Sequence, residues 1–189
     1  MNGADGYMLL LFISKKFKLD ESQKIILIDF LSKYFLRRNV TDFPPTRDLT
    51  NRFMDVITEV NKLNEYDFDS LREIIIDKAR PASNELFREK LNGDLYEENV
   101  GATRFILSSI ESSLSETKEK YVDFYSRDKN KFIWTVEHIF PQGEKIPDYW
   151  VQMIADGDKL LAQDIRKAWV HKLGNLTLTG YNSQLSNMS

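Results

Sequence analysis

The sequence predicts a mostly α protein, a helical bundle followed by a small α+β unit. Apolar residues recur at helical spacing from Gly6 to about Lys120. After Lys120 the pattern changes to short runs rich in β-branched and aromatic residues. The bulk numbers agree with a packed protein: 42% hydrophobic and 29% charged residues in a chain of 189, enough to bury a substantial core.

The helical part can be read element by element. Ile25, Ile26, Ile28, Phe30, Leu31, Tyr34 and Phe35 mark one helix, opened by a capping-box-like Asp20 and Gln23. Pro44-Pro45 breaks the chain and permits a new start near Thr46. Leu49, Phe53, Val56, Ile57 and Val60 then form a single stripe. Leu71, Ile74, Ile75 and Ile76 mark a further helix after the polar EYDFD segment, and Pro81 ends it. Phe105, Ile106, Leu107, Ile110 and Leu114 mark another. These stripes read as the core of a bundle over residues 1–120.

Residues 121–189 read differently. KFIWTVEHIF, from Lys131 to Phe140, is a strand. A helical insertion follows over about 147–172, with Trp150, Met153, Ile154, Leu160, Leu161, Ile165 and Trp169 as buried positions. NLTLT, from Asn175 to Thr179, is a second strand, expected to pair antiparallel with the first in one sheet. Gly180 turns it, and a helix starts near Asn182. The order strand, insertion, strand, helix is that of a ββα-metal unit with a long first connection. The chain stops at Ser189, about two turns into that helix, which points to a C-terminal piece or subunit of a larger assembly.

Composition excludes several classes. There is no cysteine, so disulfides and cysteine-based zinc sites are out. No apolar run approaches the roughly 20 residues that cross a bilayer, and YMLLLFI is followed by no cleavage-type signal. The expected location is cytoplasmic, away from membranes. The net charge of −3 is not that of a free-standing DNA coat. Basic residues are grouped locally at Lys15, Lys16 and Lys18, at Arg37 and Arg38, and at Arg127, Lys129 and Lys131. The first two groups read as solvated helix ends. The third lies just ahead of the first strand, where Lys129 and Lys131 could contact phosphates.

Only two histidines occur, and His138 stands beside Glu137 at a strand end stopped by Pro141. An imidazole can deprotonate water near neutral pH, which phosphodiester hydrolysis requires. The bland alternative is a histidine satisfied by a backbone carbonyl. Neighbouring residues on a regular strand face opposite ways, so Glu137 and His138 share a site only where the strand bends or ends. Asn175 opens the second strand after Gly174, where a turn residue is equally at home. His171 and Lys172 lie just upstream, as a further ligand or phosphate contact or as caps of a helix end. Trp134, Trp150 and Trp169 read as core.

EHIFPQ together with LGNLTL…YNSQLSN resembles the C-terminal HNH-type nuclease region of GmrSD-like (type IV) restriction endonucleases. The motif-bearing part covers about Lys131 to Ser189, and the helical remainder is similar in character to the family's middle region. The resemblance implies a metal-dependent endonuclease that cuts foreign or modified DNA in prokaryotic defence. It implies a nucleotide-using N-terminal domain or partner subunit, whose motifs this chain lacks. His138 takes the place of the catalytic histidine. Asn175 takes the middle place of the H-N-H pattern, its amide ordering the loop that carries His138. Glu137 becomes a metal ligand, and Asn182 and Asn187 compete for the third position, with an N-cap as the alternative for Asn182. Oxygen ligands of this kind suit Mg²⁺ or Mn²⁺. Two rival readings remain: a non-catalytic helical scaffold or DNA-sensing subunit with a degenerate nuclease unit, and a ribonuclease using the same site.

Overall fold

Lys18, with φ 52, ends helix α1 (Ala4–Phe17), and Asp20 opens α2 (Glu21–Thr41). The Asp20 carboxylate accepts from the Gln23 backbone N–H, and the Gln23 side chain accepts from the Asp20 N–H. This reciprocal cap satisfies two donors that a helix start otherwise leaves open. The computed structural model describes residues 4–114 and 122–180, and side chains from Gly6 onward.

The chain divides into two compact units, Met1–Lys90 and Leu91–Ser189. The first unit holds α1, α2, α3 (Thr46–Asn61) and α4 (Phe68–Ala79), and α5 (Asn84–Leu91) begins within it. Leu9, Ile13, Leu27, Leu31, Leu49, Phe53, Val56, Val60, Leu71 and Ile75 fill its core. Tyr34, Phe35 and Phe53 form an aromatic knot with centroids 5.3–5.6 Å apart. The Tyr34 hydroxyl donates to the Ala79 carbonyl at 3.0 Å and so ties α2 to the end of α4. A Cβ on Gly6 would collide with the Phe35 ring, so only glycine lets α1 lie this close to α2.

Several expected faces are turned otherwise. Ile25, Ile26 and Ile28 are exposed, and the inward face of α2 runs through Leu27, Leu31, Tyr34 and Phe35. Ile76 is exposed as well. Arg38 is not a solvated helix end: it is buried, paired with Asp42 at 3.0 Å, and donates to the Pro44 carbonyl and the Thr46 hydroxyl. Those contacts hold the Pro44-Pro45 corner from which α3 starts.

Among its described residues, the second unit contains α6 (Leu95–Glu98), α7 (Val100–Leu114), four short strands, α8 (Asp148–Ala155) and α9 (Lys159–Trp169). The segment expected as one strand over Lys131–Phe140 is divided. Strands β1 (Arg127–Asp128) and β2 (Lys131–Phe132) form a tight hairpin, and β3 (Thr135–His138) pairs antiparallel with β4 (Leu176–Thr179). The break falls at Ile133 and Trp134. The Ile133 N–H returns to the Ser126 carbonyl at 3.0 Å, and Arg104 of α7 takes the Trp134 carbonyl. The chain therefore leaves one ribbon before it enters the other.

The inward face of α7 also differs from expectation. Ala102, Thr103, Arg104 and Ser108 are buried, whereas Ile110 and Leu114 are exposed. Small and polar residues face inward because they bond neighbouring backbone: Thr103 to the Leu95 carbonyl, Arg104 to the Trp134 and Phe124 carbonyls. The helical insertion exists as α8 and α9, joined by Asp156 and Gly157 at positive φ, with Asp158 capping α9 through the Leu160 and Leu161 N–H groups. Its core is Val151, Ala155 and Ala162 with Phe140 and Ile146, and Trp150, Ile154 and Ile165 pack on it. Met153, Leu160, Leu161 and Trp169 are exposed instead of buried.

Candidate active site

β3 brings Glu137 and His138 to its C-terminal end, where His138 pairs with Leu176 and Glu137 with Thr177. Just beyond the strand, Asn175 fastens the next residues. Its Oδ1 accepts from the Phe140 N–H at 2.7 Å, and its Nδ2 donates to the Val170 carbonyl at 2.9 Å and the Phe140 carbonyl at 3.4 Å. The Asn175 carbonyl in turn accepts from the Ile139 N–H at 2.8 Å. One residue thus binds the loop after His138 and the end of α9. A short 3-10 turn, Leu173–Asn175, delivers Asn175 to this position.

The two histidines meet here. Their ring centroids lie 5.7 Å apart at 80°. Tyr96 of α6 completes the cluster, edge-on to His138 at 4.6 Å and parallel to His171 at 6.0 Å. Its N–H donates to the His171 carbonyl. His138 Nε2 and His171 Nδ1 are both buried, and neither has a hydrogen-bond partner among the described residues. Burial, followed by the nearby His171, lowers the His138 pKa below its ordinary value. The neutral imidazole is thereby favoured, as a base requires.

The His138 side chain is half-buried, and its Nε2 is out of contact with solvent. Tyr96 was not singled out in the sequence. A lone tyrosine in a four-residue helix some forty positions upstream carries no local signal. Lys172 lies beside the cluster, but Asp94 neutralises it at 3.4 Å. Lys129 and Lys131 are exposed on the β1–β2 hairpin, near the opposite end of β3. Asn182 and Asn187 lie outside the described residues. Among the described residues, no three His, Asp or Glu side chains converge to hold a metal ion. Glu137 and His138 alone do not make such a site.

The family model for the C-terminal domain of GmrSD restriction endonucleases matches residues 81–189, more than half of the chain. The chain belongs to this family. The GmrSD C-terminal match includes α6, α7, the hairpin, β3, β4 and the Asn175 lock, so Tyr96 lies in the same matched region as His138. Membership places the chain among restriction endonucleases, a nuclease family acting in defence. Searches of curated proteins and of solved structures found no match. Among the described residues, no helix is long and apolar enough to cross a membrane.

Proposed function

We propose that this GmrSD C-terminal domain is an HNH-type endonuclease that hydrolyses DNA phosphodiester bonds, with His138 as the general base. The supporting observation is the pairing of an unpartnered His138 Nε2 with a loop held by Asn175. An imidazole nitrogen not engaged by the protein keeps its lone pair for a proton, and a fixed loop keeps it in place. Asn175 acts as a positioning residue, since its amide contacts backbone only. Tyr96 and His171 border the imidazole, and burial followed by the nearby His171 favours its neutral form. Substrate must displace part of this cover for water to reach Nε2.

A divalent ion, Mg²⁺ or Mn²⁺, would polarise the phosphate and stabilise the leaving oxyanion. Glu137 with Asn182 or Asn187 is the proposed oxygen set. His171 and Lys172 are proposed phosphate contacts, Lys172 after exchange of Asp94 for a phosphate oxygen. We further propose that the domain works with a nucleotide-using domain or subunit against foreign or modified DNA.

The test is plasmid nicking by the whole chain in Mg²⁺ or Mn²⁺, wild type against His138→Ala. Loss of the base should slow cleavage about a hundred- to ten-thousand-fold. Equal rates would refute the assignment of His138.

A further inference from the structure

The hairpin Arg127–Phe132 has no role in the chemistry just described. Its turn residues, Lys129 and Asn130, have φ 45 and φ 67. Two successive left-handed residues make the tight two-residue turn whose twist matches that of the flanking strands. Arg127 to Lys131 are all exposed. The hairpin carries Arg127, Lys129 and Lys131 against a single acid, Asp128, in a chain whose net charge is −3. Cationic charge is therefore concentrated here against the trend of the whole molecule.

The base of the hairpin is held firmly. The Phe132 ring lies between two guanidinium groups, Arg104 at 3.9 Å and Arg127 at 4.1 Å from its centroid. Arg104 is buried and also bonds the Trp134 carbonyl, one residue before β3. The hairpin is thus anchored to the strand that ends in Glu137 and His138. Lys129, Lys131, Thr135 and Gly180 line one cleft between the hairpin and the near end of the β3–β4 ribbon. Thr135 and His138 are three residues apart on β3, about 10 Å. With one phosphate per about 3.4 Å of axis on each strand, a duplex laid along β3 would place about three nucleotides between Thr135 at the cleft and His138.

We propose that the Arg127–Phe132 hairpin is a duplex-DNA backbone clamp, with Lys129 and Lys131 as its phosphate contacts. The proposal rests on the nuclease reading for its choice of DNA. The clamp holds the duplex away from the scissile bond and reads charge, with no base contact required.

The experiment compares the whole chain carrying His138→Ala with the same chain carrying Lys129→Asn and Lys131→Gln in addition. Asn accepts the left-handed turn position, so the hairpin keeps its geometry. Binding to a labelled DNA duplex is measured by anisotropy across a KCl series, beside thermal melting. Removing two phosphate contacts should lower the slope of log affinity against log salt by about two and weaken binding about tenfold or more, with melting unchanged. Unchanged slope and affinity would overturn the clamp, and wild-type nicking would still support the nuclease. Loss of duplex binding on replacing the two lysines, without any wild-type nicking, would keep the clamp and remove the nuclease reading. If, in the same assay with a labelled RNA duplex, replacing the lysines weakens RNA binding but not DNA binding, DNA is overturned as the occupant.

Discussion

Asn175 Oδ1 accepts the Phe140 N–H at 2.7 Å, two residues beyond His138. This contact joins the start of β4 to the loop that leaves β3, and it fixes the backbone from which the imidazole projects.

Asn175→Ala should therefore lower stability and activity together. It leaves the Phe140 N–H and the Val170 carbonyl without their partner, at about 1–3 kcal/mol for an unsatisfied buried group. Asn175→Asp keeps the acceptor for Phe140 but turns a carboxylate oxygen toward the Val170 and Phe140 carbonyls, so it should not rescue the loss. A melting temperature restored to the wild-type value in Asn175→Asp would argue against the bonds to those carbonyls.

His138 should titrate below its ordinary value of 6.5, since burial and then His171 disfavour the cation. The unfolded chain binds the proton more tightly than the folded one. The corresponding stability is thus complete above pH 6.5 and is lost as pH falls from there through the folded pKa. The acid limb of cleavage should follow the same lowered value. Imidazole NMR resolves this directly, because the chain has two histidines. Tyr96→Ala and His171→Gln should each move His138 upward toward 6.5. No movement in either would contradict the burial and charge origins of the shift.

Cleavage should require Mg²⁺ or Mn²⁺ and cease in chelator, while circular dichroism and melting stay unchanged. A structural metal would unfold the chain on chelation.

Arg104→Met should destabilise the second unit by roughly 1–3 kcal/mol, since it orphans backbone acceptors that the buried guanidinium serves. Arg104→Lys should not restore it, because an ammonium lacks the planar face that stacks on Phe132 while Nη1 serves both carbonyls. Thermal melting of both variants decides this.

Much of the fold was legible in the sequence because its signals are local. The Asp20–Gln23 cap, the restart at Thr46 after Pro44-Pro45, and the pairing of the two motif segments as β3 and β4 follow from hydrogen bonds, dihedral limits and side-chain period. The same locality made His138, Glu137 and Asn175 stand out as candidates at a strand end. Tertiary structure alone decided which helix faces are covered. Ile25 and Trp169 are exposed and Arg38 and Arg104 are buried, because burial depends on what a neighbouring element offers. Arg104 turns inward since the Phe124 and Trp134 carbonyls need a donor, and that demand arises some twenty to thirty residues away. The division of the long strand into a hairpin and β3 has the same cause. So does the meeting of Tyr96, His138 and His171, three residues far apart in the chain that only packing brings together. Spacing along a sequence reports what a residue can bond within a few positions, and such long-range partners lie beyond it.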